Sequence, residues 1–451
     1  MGKSKILGSG AGNVVNGIIE QYYAATNDVK ANTFVEYVDK FQLENPGATT
    51  QISSKINSTS VSAVQLAENK VFVAFNIKNG YSYWSVYGVV CTINNGVVTA
   101  GTTVAINTVE NVAHTARNVV ALALSSTKVV VIFSNDVSET LTSAFGKVCT
   151  ISGTSISVGS EKEIKCSDNY WGYAKAAALS SSSFIVVGES TNYNIYAVIC
   201  TVSGSTITTG TSKLIRAASL GTDAKYDIIK LTSSKALLAY ARYKSGSSSY
   251  YGTAVVVLTI SGTTITTGTE AFLDHSVTTN QIALLAFSET KAVLCDYSNF
   301  SYAQIVSIAG TTVSLGTRVS LASTSYIRAM LKLNESAITF YETGVGVNVY
   351  PRAQLARISG TTITLGSTYT SFLRVASASY TSMCYAFALC TPMLVLCAGC
   401  DYSSQDIQAQ LANFLDYKGI IPLTASANFL GLTMTKATKT SQGKVWTLKG
   451  E

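Results

Sequence analysis

A nine-residue pattern recurs seven times along this chain, and it restricts the possible folds more than any other feature. Each copy is an apolar segment, a short polar turn and a second apolar segment, as in LALSSTKVV from Leu122. The chain is therefore an array of similar units, repeated every 46 to 58 residues. The third positions of the copies are Leu66, Leu124, Leu179, Leu231, Phe287, Leu333 and Leu389.

A second pattern, eleven residues long, follows each of the first six copies; one example is CTISGTSISVG from Cys149. Alternating apolar residues on both sides of a turn are typical of a β-hairpin. Two hairpins per unit give four antiparallel strands, a to d, which is the blade of a β-propeller. The sequence predicts an all-β, seven-bladed β-propeller of four-stranded antiparallel blades. The second pattern always ends on glycine, at Gly101, Gly159, Gly210, Gly268, Gly316 and Gly366.

The propeller is predicted at residues 58–418, between an N-terminal segment at 1–57 and a C-terminal segment at 419–451. The seventh repeat has strands a, b and c but lacks the hairpin that supplies strand d in the other six. A strand from the amino terminus, or from Ala48–Ser53, is expected to cover this open edge. The two termini are then predicted to pair in a small β module.

Composition removes several classes of function. The most apolar stretch, Met383–Cys400, contains Pro392 at the turn of the seventh repeat, so it predicts two buried strands and no membrane insertion. The amino terminus has no continuous apolar segment of the kind found in a signal peptide, so synthesis in the cytosol is expected. A net charge of +7 without a run of basic residues argues against nucleic-acid binding.

The nine cysteines are interpreted as structural. Cys91, Cys149 and Cys200 occupy a repeat position that is aliphatic in other copies, so they are expected to act as small hydrophobic residues. Cys397 and Cys400 form a CxxC pair, but the chain has only two histidines. No metal site and no cofactor are predicted.

The connections between strands differ on the two sides of the predicted disc. The a–b and c–d turns are short and uniform, whereas the b–c and d–a connections are long and rich in Tyr, Ser, Asn and Gly. We call these sides the turn face and the loop face. Such loops are typical of recognition surfaces, although each ring could instead pack between blades. The candidate ligand-binding residues are Tyr81, Tyr83, Trp84, Tyr170, Trp171, Tyr173, Tyr193, Tyr250, Tyr251, Phe300 and Tyr302.

Catalysis is not expected. Glycoside cleavage needs two converging carboxylates, or a tyrosine nucleophile backed by arginines. The acids near the loop face, Glu189, Asp296 and Asp401, are scattered over blades without a visible pattern of supporting Arg or His. No catalytic residues are therefore predicted.

Three parts of the sequence share features with a known family: TFVEYVDKF at Thr33–Phe41, the repeats from Val64 to Gly366, and GLTMTKATKTSQGKVWTL at Gly431–Leu448. Together they resemble virion structural proteins of tailed bacteriophages and prophages of Gram-positive anaerobes. The last segment departs from the family pattern, because Lys436, Ala437 and Thr438 stand where glycines are usual. The resemblance implies location in a virion after synthesis in the bacterial cytoplasm. It also implies contacts of the termini with other virion proteins and a homo-oligomer in the particle.

Repeats and resemblance together lead to one main expectation. The chain is expected to be a non-enzymatic tail-fibre or tail-tip protein whose loop face binds a glycan or protein of the host surface. The alternative is a capsid decoration, head-fibre or tail-junction protein without a host ligand. A third hypothesis, a glycan depolymerase, has only the precedent of the fold behind it.

Overall fold

The structure is a computed structural model of the chain. It describes residues 18–25, 34–43, 47–56, 58, 60–79, 83–108, 118–138, 141–165, 172–190, 194–217, 226–243, 251–274, 281–297, 301–321, 326–343, 346–349, 352–369, 375–378, 385–391, 393–400, 406–422, 431–433 and 442–448.

The described residues are almost entirely β-strands, numbered here in chain order. Before the first blade lie β1 (Ile18–Ala25), β2 (Phe34–Leu43) and β3 (Thr50–Ile56). Blades 1 to 3 contain β4 (Val61–Ala67), β5 (Lys70–Asn79), β6 (Tyr83–Asn94), β7 (Val97–Ala100) and β8 (Val104–Asn107); β9 (Val119–Ser125), β10 (Lys128–Ser138), β11 (Leu141–Ser152), β12 (Ser155–Val158) and β13 (Lys162–Ile164); and β14 (Gly172–Ser180), β15 (Ser183–Glu189), β16 (Ile195–Ser203), β17 (Thr206–Thr209) and β18 (Lys213–Arg216).

Blades 4 to 6 contain β19 (Tyr226–Thr232), β20 (Lys235–Tyr243), β21 (Tyr251–Ser261), β22 (Thr264–Thr267) and β23 (Ala271–Asp274); β24 (Gln281–Ser288), β25 (Lys291–Tyr297), β26 (Ser301–Ala309), β27 (Thr312–Leu315) and β28 (Val319–Ser320); and β29 (Tyr326–Lys332), β30 (Ala337–Thr343), β31 (Gly346–Val349), β32 (Arg352–Ser359), β33 (Thr362–Tyr369) and β34 (Val375–Ala378). Blade 7 contains β35 (Tyr385–Thr391), β36 (Leu394–Cys400) and β37 (Asp406–Pro422), and β38 (Gly431–Thr433) and β39 (Gln442–Leu448) follow it.

The blades form a seven-bladed antiparallel β-propeller, as the repeats predict. The chain divides into two compact units, one at 44–413 and the other made of 1–43 and 414–451. The predicted limits of the propeller, 58 and 418, differ from the first unit mainly because β3 belongs with the blades.

The c–d turns show why the second pattern contains Ser-Gly-Thr. In blade 2 Ser152 pairs with Ser155, which leaves a two-residue turn whose first residue, Gly153, has a φ of 58°. A positive φ at this position is the requirement of a tight hairpin turn, and glycine meets it at little cost. In the first copy Asn95 and Gly96 both have positive φ, the alternative arrangement for such a turn.

A backbone hydrogen bond joins the two sequence patterns in each of six blades. In blade 2 the Ile151 amide of strand c donates to the Thr127 carbonyl of the a–b turn at 2.8 Å. The same bond recurs with Ile93, Val202, Ile260, Ile308 and Ile358 as donors. The a–b turn is therefore held against strand c, which makes the turn face uniform.

In several copies the glycine that ends the second pattern is required by packing between blades. A Cβ atom at Gly101 would lie 2.7 Å from Thr154 Cβ and 2.8 Å from the Thr154 carbonyl oxygen, in the c–d turn of the next blade. Side chains do not fit at such distances. After this glycine strand d resumes, so that β6 pairs first with β7 and then with β8. The sequence predicts only the first part of strand d.

Blade 7 receives its fourth strand from the N-terminal side of the chain. β3 pairs antiparallel with β37, which places a strand from residues 50–56 on the edge that the seventh repeat leaves open. Gln51 also donates a side-chain hydrogen bond to Asp406. On the other side, Gln65 of blade 1 donates to the Cys390 carbonyl of blade 7 at 2.8 Å. The expectation that Ala48–Ser53 contributes this strand is confirmed.

The core lies between neighbouring blades. Val186 and Val198 of blade 3 pack with blade 2, for example, whereas Ile185 and Ile199 pack with blade 4. Cys91, Cys149 and Cys200 are buried in these layers, and burial raises the pKa of each thiol to about 12. They are the small hydrophobic residues that the repeat predicts.

The apolar stretch Met383–Cys400 contains β35 and β36, a buried hairpin of blade 7. This confirms the interpretation as blade strands. A search of the described residues for a helix that could cross a membrane finds none.

The second unit is the small β module that the termini were expected to form. β1 pairs antiparallel with β39, and β38 pairs with both β39 and β2. β2 also pairs with the second half of β37, from Val35–Pro422 to Leu43–Phe414. Strands from the two ends of the chain thus complete one another.

Candidate functional site

The structure describes only some of the predicted ligand-binding residues. Tyr81, Tyr170, Trp171, Tyr193, Tyr250 and Phe300 lie outside the described residues. Tyr83, Trp84, Tyr173 and Tyr251 belong to β6, β14 and β21, and their side chains lie outside the description as well. Tyr302 is the predicted residue whose surroundings the structure gives.

Several connections of the loop face are more regular than the sequence indicates. In blade 1 the β5–β6 ladder continues to the pair Asn79–Tyr83, and in blade 2 the β10–β11 ladder continues to Ser138–Leu141. In blade 6 the short strands β31 and β34 pair with each other. The prediction of long irregular b–c loops is corrected here, because the ladders run farther than the apolar alternation.

Tyr302 lies at the loop-face end of β26, in a cluster of charged residues. The Arg318 guanidinium stacks over its ring, with Arg318 Cζ 3.9 Å from the ring centroid. Arg318 Nη2 also donates to Asp296 Oδ1 at 2.6 Å. Thr253 of blade 4 donates to the other carboxylate oxygen at 3.5 Å. A carboxylate, a guanidinium and an aromatic ring therefore meet between blades 4 and 5.

Strand alternation explains why these side chains face blade 4. Val306 and Leu294 pack against Val255 and Val257 of blade 4. Residues two apart on a strand share a face, so Asp296 lies on the same face as Leu294, and Gln304 and Tyr302 on the same face as Val306. We call Thr253, Asp296, Tyr302, Gln304 and Arg318 the 4/5 cluster.

Two members of the 4/5 cluster have unused hydrogen-bonding atoms. Gln304 is 1% exposed, and neither its amide nitrogen nor its amide oxygen has a partner among the described residues. Arg318 Nε is likewise buried without a partner in the described part of the chain. A buried, unpaired polar group is destabilising, so such groups require an explanation.

A related cluster occurs one blade earlier. Arg242 Nε donates to Glu270 Oε1 at 2.6 Å, and the Arg242 guanidinium lies over the Phe272 ring at 3.8 Å from its centroid. The Tyr240 hydroxyl donates to the other oxygen of Glu270. We call Tyr240, Arg242, Glu270 and Phe272 the 3/4 cluster. Both oxygens of its carboxylate are occupied from within the cluster.

The two clusters occupy equivalent positions, but the acidic residue and the arginine come from different segments in the two blades. Glu270 and Arg318 each follow the Gly-Thr that ends the second pattern, and Tyr240 and Asp296 occupy the same position of strand b. The expectation that Asp296 lacks a supporting arginine was wrong, because Arg318 donates to its carboxylate. Arg318 lies 22 residues further along the chain, next to strand d of the same blade. A charged residue after Gly-Thr in two successive repeats is the signal that could have revealed it.

Blade 2 shows a third version of the same arrangement. Lys147, which takes the position of Gln304, lies 3.5 Å from Glu161 and donates to the Ile106 carbonyl at 3.0 Å and to Asn107 at 3.3 Å. The equivalent Gln410 of blade 7 donates to the Gly47 carbonyl at 2.9 Å. Each of these side chains is used by the fold itself.

Cys397 and Cys400 are buried on β36, and their spacing of three places their side chains on opposite faces of the strand. Among the described residues no group of three metal-ligating side chains comes together.

The comparisons with known proteins concern the fold. No protein family and no curated protein match the sequence. A protein of unknown function from Dyadobacter fermentans is similar over 84% of this chain and 99% of its own, with a TM-score of 0.47 and 10% identity. The β-propeller domain of the Trilobed protease from Pyrococcus furiosus is similar over 80% of this chain and 99% of its own, with a TM-score of 0.43 and 9% identity. A fucose-specific lectin from Aleuria aurantia is similar over 70% of this chain and 97% of its own, with a TM-score of 0.41 and 14% identity.

Proposed function

We propose that this chain is a non-catalytic binding protein that displays a seven-bladed propeller on the surface of a phage particle. In this proposal the loop face contacts a glycan or protein of the host envelope, as in a tail fibre or tail tip. The β module of the two termini attaches the chain to other virion proteins. The virion part of the proposal is based on the sequence resemblance described above.

The observation that carries the binding part is the difference between the two faces. The turn face repeats the same backbone bonds from blade to blade, whereas equivalent loop-face positions hold different polar and aromatic residues, such as Tyr240 and Asp296. Positions that only maintain the fold need no such variation. Variable aromatic and charged residues on a rigid scaffold favour recognition.

The 4/5 cluster offers binding chemistry without a catalytic pair. Its described residues contain a single carboxylate, Asp296, held by Arg318. Hydrolysis of a glycosidic bond would need a second carboxylate within reach, or a tyrosine nucleophile backed by several arginines, whereas the cluster has one arginine, which is paired with Asp296. The cluster can accept and donate hydrogen bonds and can present an aromatic ring, which are the elements of a recognition site.

The proposal is tested on particles and on cells. Antibodies against the purified chain should label particles induced from the bacterium that encodes it, and immunogold electron microscopy should place the label at the tail tip. Purified protein should adsorb to cells of susceptible strains, and W84A/W171A should adsorb less than V97A, a variant of the exposed turn-face residue Val97. Label spread over the head with no adsorption would instead indicate a decoration protein.

A further inference from the structure

Gln304 has no evident role in holding the fold together. The equivalent position of strand c is Val89, Val198 and Val256 in blades 1, 3 and 4, where an aliphatic residue fills the space between blades. Polar residues take this position in blades 2, 6 and 7, as Lys147, Gln354 and Gln410. Blade 5 differs from them because it buries an amide with neither atom paired among the described residues. Valine at this position would avoid the cost of that burial.

The unpaired groups lie on the same face of blade 5 as a charge pair and an aromatic ring. Gln304 is two residues from Tyr302 on the same strand face, a separation of about 7 Å along the strand. Arg318 Nε, also unpaired among the described residues, belongs to the guanidinium that covers Tyr302. Donors, acceptors and a ring thus lie together on the face of blade 5 that packs against blade 4.

We propose that the 4/5 cluster is a binding site for a neutral sugar unit with adjacent hydroxyl groups. The inference rests on the proposed function and names the ligand class and the site. Hydroxyl groups both donate and accept, so they match an amide and a guanidinium edge together. The Tyr302 ring is half-buried and has Arg318 over it, so the remaining part of the ring is the apolar surface that the C–H groups of a sugar ring would contact.

Charge selects a neutral ligand over an acidic one. Arg318 and Asp296 form an ion pair at 2.6 Å, so together they carry no net charge. An acidic sugar would lose its hydration without gaining an unpaired cation in the 4/5 cluster. A neutral sugar needs only hydrogen bonds, which Gln304 and Arg318 Nε can supply.

The 3/4 cluster provides a matched control. It has the same combination of arginine, carboxylate and ring, but Arg242 Nε donates to Glu270 Oε1, whereas Arg318 Nε has no partner among the described residues. Arg242→Lys and Arg318→Lys each keep the positive charge and remove the planar guanidinium. The two substitutions disturb similar ion pairs at different positions of the blade, and only the second changes the proposed site.

The experiment compares wild type, Q304V, R318K and R242K as purified full chains. Binding is measured on an array of neutral and acidic sugars and by adsorption to cells of the encoding species. The cells are untreated or oxidised with periodate, which cleaves the carbon–carbon bond between carbons that carry adjacent hydroxyl groups. Q304V and R318K should weaken binding to neutral sugars and untreated cells by about tenfold or more, and R242K by less than about twofold. Periodate should abolish wild-type adsorption.

A purely structural role for Gln304 is separated by thermal unfolding. Q304V should unfold at the same or a higher temperature than wild type, because it replaces an unpaired amide by an aliphatic residue, and yet bind less. Adsorption that survives periodate, binding only to acidic sugars, or equal binding by Q304V and wild type would each overturn the inference. Wild-type protein that adsorbs to no cells would contradict the proposed function itself, whatever the variants do on the array.

Discussion

The two faces of this propeller are built from the same strands but obey different constraints. On the turn face, Gly101 packs against Thr154 of the next blade, and Ile151 is bonded to the a–b turn, with little room for substitution. On the loop face, equivalent positions hold Glu270 in one blade and Arg318 in the next. The turn face therefore maintains the ring of blades, whereas positions on the loop face can hold residues of different charge.

The largest effect is expected where the turn face is tightest. Gly101→Ala should lower the free energy of unfolding by about 3 kcal/mol, because its Cβ would overlap the Thr154 turn. Gly153→Ala, in that same turn, should cost only about 1 kcal/mol, since it meets no atom within 4 Å and only its φ of 58° is unfavourable. Urea unfolding of both variants measures the difference. Equal losses would show that backbone conformation, and not contact between blades, explains the repeated glycine.

A smaller effect is expected from breaking the ion pair of the 4/5 cluster. Arg318→Met should lower stability by roughly 2 kcal/mol, because it leaves the Asp296 carboxylate buried without its cation. The loss is below that of a fully buried pair, since 26% of the Arg318 side chain is exposed. Thermal unfolding at neutral pH measures the change. A variant as stable as wild type would mean that the pair contributes nothing to the fold.

The third effect depends on pH and concerns Asp227, near the start of β19. Asp227 accepts hydrogen bonds from the Leu284 amide of blade 5 at 2.8 Å and from the Ile228 amide at 3.0 Å. Burial raises the pKa of Asp227 above its ordinary value of 3.8, although Lys175 and both amides act in the opposite direction.

A raised pKa means that the folded chain prefers the protonated form of Asp227. The contribution of protonated Asp227 to the free energy of unfolding is therefore complete below pH 3.8, and it is lost as the pH rises through the folded-state pKa. Asp227→Asn keeps a neutral acceptor at every pH, so its stability relative to wild type should increase as the pH rises from about 3 to about 7. Urea unfolding across this range tests the sign, and a difference that declines with pH would contradict it.

The smallest effect is expected at the blade 2 counterpart. Glu161→Gln should change stability by less than about 0.5 kcal/mol, because Glu161 is partly exposed and its partner Lys147 keeps two other acceptors. Thermal unfolding beside Arg318→Met gives the direct contrast. Similar losses in the two variants would show that burial of the carboxylate does not distinguish the blades.

Much of the architecture could be predicted because it depends on local patterns. Alternating apolar residues and the Ser-Gly-Thr turns determine hairpins within a dozen residues, and their repetition determines the number of blades. The continuation of strand d beyond Gly101 was missed, since β8 has little apolar alternation of its own. The candidate site was found only in part: Tyr302 was predicted, but its partners were not.

The sequence by itself determined the seven repeats, the antiparallel blades, the buried cysteines and the need for an extra strand at the last blade. Tertiary structure alone decided that β3 supplies this strand, that Arg318 pairs with Asp296, and that Gln304 is buried without a partner among the described residues. The physical reason is the separation along the chain of the residues that interact. A turn or a strand is favoured by neighbouring residues, whereas a charge pair or a buried amide depends on which faces of two blades the register brings together.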